Sequence, residues 1–145
     1  MSRIWIGTSG YNYPEWRGSF YPEKMKPADM LPFYAAEFAS VEINYTFYRM
    51  PNAKAIAGWA AAAAAQFRFV LKAPKRITHE KRLKEFGDTL AVFVRLSSAL
   101  EGRLGPLLFQ LPPNLKKDLP RLEAFLDELP DTAKAAFEFR HESWF

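Results

Sequence analysis

The chain has 145 residues, 49% of them hydrophobic and 25% charged, which is enough for one packed core and too apolar for disorder. With 0 cysteines, disulfides, thiolate metal sites and cysteine nucleophiles are excluded, as expected in a reducing compartment. The net charge of +4 is a weak pull toward an anionic partner.

The start, Met1-Ser-Arg-Ile-Trp-Ile-Gly7, reads as immediate strand and lacks the basic opening and apolar stretch of a signal peptide. The longest apolar run, Ile56 to Ala65, is mostly alanine and well short of the ~20 residues of a membrane span. A cytoplasmic protein with no membrane partner is expected.

Segment one is Ile4-Trp-Ile-Gly-Thr-Ser-Gly10, β-formers ending in small residues that allow a tight turn. An aromatic loop, Tyr11 to Tyr21, follows. Pro27 sits near a helix start, and Leu31, Tyr34, Ala35 and Phe38 give that helix an apolar face to about Ala39. Segment two is Val41-Glu-Ile-Asn-Tyr45. Pro51 and Asn52 open a second helix with Ile56, Trp59, Ala60 and Ala63 on one face.

Segment three is Phe67 to Lys72, closed by Ala73-Pro74 and followed by a long basic loop, Lys75 to Gly87. Asp88 or Thr89 caps a third helix through Leu100. Segment four is Pro106 to Leu111. Asp118 and Pro120 open a fourth helix with Leu122, Phe125, Leu126 and Leu129 on one face, and segment five is Ala135 to Arg140.

Strand and helix alternate throughout, so the strands are expected to be parallel. A (β/α) barrel and an open doubly wound sheet compete. No Gly-x-Gly-x-x-Gly follows strand one, so a dinucleotide site has no support. The fifth strand-like segment runs into the terminus with no helix after it. Residues 1–145 therefore read as one partial domain, strands one to five of a truncated TIM-type barrel, with no second domain. Such a piece is expected to self-associate through its exposed sheet edges.

Alternate residues of a strand share a face. That rule puts Glu42 with Asn44, Val70 with Lys72, Leu108 with Gln110, and Ala136 with Glu138 and Arg140. The other parity holds Val41, Ile43, Tyr45, Phe69, Leu71, Phe109, Phe137 and Phe139. The bulky set suits packing under helices. The polar set suits a barrel interior near its C-terminal mouth, where barrel enzymes keep their chemistry. The competing explanation is a salt-bridge network, Glu42 with Lys72 and Glu138 with Arg140.

Several stretches resemble one known family. They are Ile6-Gly-Thr-Ser-Gly-Tyr11, Trp16 to Tyr21, Glu42-Ile-Asn-Tyr-Thr-Phe-Tyr48, Phe69-Val-Leu-Lys-Ala-Pro74 with Ile77-Thr-His79, Phe109-Gln-Leu-Pro112, and Glu138-Phe-Arg-His-Glu-Ser-Trp144. In this order they resemble the family of domain of unknown function 72, the YecE-like proteins. The resemblance implies a TIM-type barrel. It implies no activity, since the family has none firmly assigned.

The favoured reading is a barrel that binds or turns over a polar, sugar-like or phosphorylated small molecule. Glu42 and Glu138 are the catalytic candidates, because paired carboxylates can divide acid and base work. Asn44, Tyr48, Lys72, Gln110, Arg140, His141 and Trp16 are the ligand-binding candidates. A hydrolase or isomerase fits these groups, and a truncated chain need not be active. Glu42, Glu138 and His141 could share a divalent metal, although no metal-binding motif occurs and no cofactor is assigned. The basic loop with His79 leaves a metal-assisted nuclease or phosphoesterase as the alternative, with nucleic acid the less favoured partner. A non-enzymatic binding or assembly module is the remaining alternative. No P-loop and no Gly-x-Ser-x-Gly elbow occurs.

Overall fold

In the computed structural model of the chain, residues 4–145 are described. Five strands, β1 (Gly7–Ser9), β2 (Ser40–Ile43), β3 (Arg68–Lys72), β4 (Leu104–Gln110) and β5 (Ala135–Glu138), form one sheet. They are parallel and lie in chain order. Between them run α1 (Pro27–Glu37), α2 (Tyr45–Tyr48), α3 (Ala53–Ala62), α4 (Thr89–Ser97) and α5 (Leu119–Asp127). Among the described residues β1 and β5 each pair with a single strand, so the sheet is open. No helix of the described residues is long and apolar enough to cross a membrane. The expected strand from the first residues begins only at Gly7, and Met1, Ser2 and Arg3 lie outside the described residues.

The alternation of the strands decides where the core sits. Val41, Ile43, Phe69, Leu71, Leu107 and Phe109 are buried, and they join Met30, Leu31 and Tyr34 of α1, Ile56 of α3, Leu90 and Phe93 of α4 and Phe125 of α5 in one cluster. The intervening residues Glu42, Val70, Lys72, Leu108 and Gln110 are only half-buried. A doubly wound sheet would spread its core over both faces; here the buried cluster occupies one.

The helix openings follow capping chemistry. The Asn52 side chain accepts from Ala55 N at 2.8 Å, and Asp118 accepts from Arg121 N at 3.1 Å ahead of Pro120. Each satisfies a backbone donor that the first helical turn leaves free. Asp88 holds the cap position of α4 but its side chain makes no cap bond, and α4 stops at Ser97, passing into a 3₁₀ turn over Ser98–Arg103.

Three further features differ from expectation. β4 starts at Leu104, two residues before Pro106, because its pairing with β3 jumps from Phe69–Leu104 to Leu71–Leu107. That bulge is where a residue without an N–H can sit inside a sheet. Tyr45 leaves the strand and starts α2, 46% exposed. Leu126 is 43% exposed, one helical step off the line that Leu122, Phe125 and Leu129 hold against the core.

Tyr34 ties α1 to the sheet edge. It is 0% exposed, its hydroxyl accepts from Thr8 N at 2.7 Å and donates to the Ser40 carbonyl at 3.0 Å. Removing that oxygen leaves the Thr8 donor without its partner. Tyr34→Phe is therefore expected to lower stability by about 1–3 kcal/mol, read as a lower urea midpoint. An unchanged midpoint would mean that water replaces the hydroxyl.

Candidate functional site

The parallel register brings polar side chains to the C-terminal edge of the sheet in two groups. The first lies on β1 and β2. Gly10 turns the chain at φ 79°, a left-handed conformation that glycine takes without strain, and its N–H donates to the Glu42 carbonyl at 2.8 Å. Ser9, in register with Glu42, donates from its hydroxyl to Glu42 Oε1 at 3.1 Å and accepts from Asn44 Nδ2 at 2.9 Å. The Tyr13 hydroxyl closes on the Ser9 carbonyl at 2.5 Å. Beside this chain lies a cleft of about 460 Å³, lined by Glu42 and Asn44 and by the rings of Tyr11, Tyr13, Tyr45, Tyr48 and Trp59. Burial raises the Tyr11 phenol above its ordinary value, so it stays a neutral hydrogen-bonding group at neutral pH.

The second group lies on β3, β4 and β5. Gln110 and Glu138 are in register, and Gln110 Nε2 donates to the Glu138 carboxylate at 3.2 and 3.1 Å. Arg140 Nε donates to Glu138 Oε1 at 2.6 Å. Burial alone would raise the Glu138 pKa. The hydrogen bonds from Arg140 and Gln110 and the charges of Arg140 and Lys72 outweigh it, and the carboxyl sits below its ordinary value. Its ionised form thus stabilises the fold above the usual carboxylate range, and that contribution is lost as pH falls through the depressed value. Lys72 points its Nζ at the Phe47 ring, 4.8 Å from the centroid, an arrangement that favours a cation over an aromatic face.

The structure thus splits what the sequence predicts as one pocket. Glu42, Asn44 and Tyr48 line the cleft; Lys72, Gln110, Glu138 and Arg140 do not. Glu42 and Glu138 share a face of the sheet three strands apart, with Glu138 displaced along the strand direction by the register of the intervening pairs. The expected Glu42–Lys72 ion pair is absent among the described residues, Glu42 being held by Ser9 instead, whereas the Glu138–Arg140 pair is present. Trp16 lies in an aromatic cluster with Tyr13, Phe20 and Tyr21 at 4.7, 5.8 and 6.0 Å, outside the cleft lining. His141 heads a 3₁₀ turn over Glu142–Trp144, its Nδ1 accepting from Ser143 N at 3.1 Å. Among the described residues no three histidine, aspartate or glutamate side chains gather as a metal site, so Glu42, Glu138 and His141 do not converge on one ion.

Sequence reasoning missed Ser9, Tyr45 and Trp59. Ser9 looked like turn material, yet it belongs to strand one, where the alternation applied to the other strands was equally available. Tyr45 and Trp59 carried apolar-face patterns that gave no sign of a cleft.

A family model described as "Protein of unknown function DUF72" matches residues 5–145. The chain belongs to the DUF72 family. It is 32% identical over 143 residues to the UPF0759 protein YecE of Escherichia coli K12, covering 98% of this chain and 50% of that protein. It is 27% identical to the UPF0759 protein YunF of Bacillus subtilis, covering 98% and 52%. The chain therefore spans about half the length of the curated relatives it matches. Among solved structures, a DUF72 family protein of Thermotoga maritima superposes with a TM-score of 0.79 at 33% identity, over 97% of this chain and 56% of that one. A DUF72 protein of Enterococcus faecalis gives 0.74 at 22% identity, over 94% and 50%, and shares the fold.

Proposed function

We propose that the C-terminal edge of this sheet is a binding site for a polar, sugar-like or phosphorylated small molecule, at the mouth of a TIM-type barrel of which residues 1–145 supply strands one to five. The observation that carries the reading is the delivery of polar groups from all five strands to one face and one edge, where Ser9, Glu42 and Asn44 bond to one another, Gln110 and Arg140 hold Glu138, and Lys72 lies against the Phe47 ring.

The register supports the barrel. Ser9 pairs with Glu42 with no step. Glu42 pairs with Val70, and the next residue on that face is Lys72. Lys72 pairs with Leu108, and the next is Gln110. Gln110 pairs with Glu138, again with no step. The polar set climbs four residues over four strand pairs, which is the stagger that a shear of 8 over eight strands requires. In a closed ring of that shear the polar set forms one level, and the two groups face each other.

On this reading the aromatic-walled cleft with Glu42, Asn44 and Tyr48 takes the uncharged part of the ligand. Lys72 and Arg140 take its negative charge, Gln110 orients Glu138, and the two glutamates supply acid and base for a hydrolase or isomerase reaction. Titrating sugars and sugar phosphates into a complete family member should give binding heat. That heat should vanish, or the melting temperature fall, when the glutamate of its Glu138 motif becomes alanine. If neither changes, the reading fails.

A further inference from the structure

His79 lies on a π-helical turn, Arg76–Glu80, that follows β3 and closes with Lys81 N donating to the Arg76 carbonyl at 2.9 Å. Such turns are rare and recur at functional sites. The turn is a built element. Ile77 and Thr78 are each 0% exposed. Beyond it, Arg82 and Leu83 take left-handed φ angles of 53° and 65°, and Arg82 grips Asn114 Oδ1 at 2.8 Å and the Asn114 carbonyl at 3.0 Å. Strained backbone of this kind persists only where its surroundings hold it.

The turn sets the imidazole in one place. Its Nδ1 is 2.8 Å from the buried Thr78 hydroxyl, and its ring meets Phe47 edge-on, centroids 5.0 Å apart at 85°. Phe47 is the same ring that faces the Lys72 ammonium. The segment bearing Phe47 is itself fixed to β3, since the fully buried Thr46 donates to the Lys72 carbonyl at 2.6 Å. His79 and Lys72 therefore share a wall. Among the described residues no hydrogen bond engages His79 Nε2.

The surrounding charge is cationic. Burial first, then Lys72, Arg140 and Arg82, hold the His79 pKa below its ordinary value. The carboxylates at this end are engaged elsewhere, Glu80 with Lys75 at 3.8 Å and Glu138 with Arg140. A neutral imidazole among cations becomes a better base when an anion arrives to offset them.

We propose that His79 is a further proton-transfer group of this site, beside the two glutamates, acting on a ligand whose oxyanion, a phosphate or a carboxylate, is held by Lys72 and Arg140. The inference rests on the reading of the C-terminal edge as a ligand site. With Nδ1–H donating to the Thr78 hydroxyl, Nε2 takes the proton of a ligand hydroxyl. The imidazolium formed is balanced by the charge left on that oxygen.

The test is the rate at which diethyl pyrocarbonate carbethoxylates His79, followed by peptide mass spectrometry at low micromolar protein with N-acetylhistidine in the same tube. The chain has 2 histidines, so the His79 peptide is read separately. The pH midpoint of the His79 rate should lie below that of N-acetylhistidine. Inorganic phosphate at ten times its dissociation constant should slow the reaction about tenfold and raise the midpoint. Lys72→Gln and Arg140→Gln should each weaken that protection. Acetate in a parallel arm assigns the oxyanion: protection by phosphate alone means a phosphoryl group, protection by both means a carboxylate is also accepted. A rate indifferent to both anions, or protection that survives in both variants, overturns the role of His79. That result leaves the barrel-mouth reading standing, because it is tested separately through Glu138 and neutral sugars in a complete family member.

Discussion

Phe109→Ala is expected to destabilise the chain by about 3–5 kcal/mol, the usual range for truncating a buried phenylalanine. Phe109 is 0% exposed. Its ring lies 5.1 Å from Phe125 of α5 and 5.3 Å from Phe137 of β5, so it joins the last strand and the last helix to the sheet. A loss of that size is a large part of the ~5–15 kcal/mol that holds a domain together. The site should suffer with it, since the next residue, Gln110, holds Glu138. Urea titration measures the loss, and Phe109→Leu, which keeps most of the volume, should lose much less. Equal, small losses for both variants would mean that β5 is not anchored through this ring.

The 145-residue polypeptide is expected to associate in solution. β1 and β5 each present one unpaired edge among the described residues, and free edges template pairing with another chain. β5 is the more exposed in character. Phe137 and Phe139 are half-buried, Phe137 against Phe109 and Phe125, and Phe139 under Trp144 at 4.4 Å. The turn that carries Trp144 is held by its indole N–H to the Leu115 carbonyl at 2.9 Å and by Lys117 N to Ser143 Oγ at 2.8 Å. This cover is one ring deep, where a core phenylalanine is worth roughly 1.5–3 kcal/mol when fully buried. Light scattering should therefore give a mass above the 16.7 kDa of one chain, rising with concentration. A monodisperse monomer with one cooperative unfolding transition would show that the open sheet stands by itself.

The sequence made the architecture legible because its signals are periodic. Alternating segments announced five parallel strands, and the parity of Val41, Ile43, Phe69, Leu71 and Phe109 announced the buried face. Asn52 and Asp118 announced helix starts because capping is local chemistry. What stayed hidden depends on partners distant in sequence. Tyr45-Thr-Phe-Tyr48 has strand-forming composition, yet it is helical because Thr46 finds both the Ile43 carbonyl and the Lys72 carbonyl. The bulge at Gly105 and Pro106 follows from pairing with β3, which no local pattern encodes. The π turn that aims His79 looked like part of a basic loop, for its i+5 hydrogen bond leaves no periodic trace. The candidate site was legible as a set of residue types on one parity. Its division into a cleft around Glu42 and a charged group around Glu138 was not, because register between strands decides it.

The central claim, that the C-terminal edge of the sheet is a ligand-binding mouth, is tested most directly by hydrogen–deuterium exchange of the chain with and without a panel of sugar phosphates at millimolar concentration. The account predicts slowed exchange confined to the turns after the strands: the Gly10 turn, the start of α2 after Asn44, the Arg76–Glu80 turn, and the segment from Glu138 to His141. Slowed exchange at the N-terminal ends of the strands or on the outer helices, or no change anywhere, would contradict it.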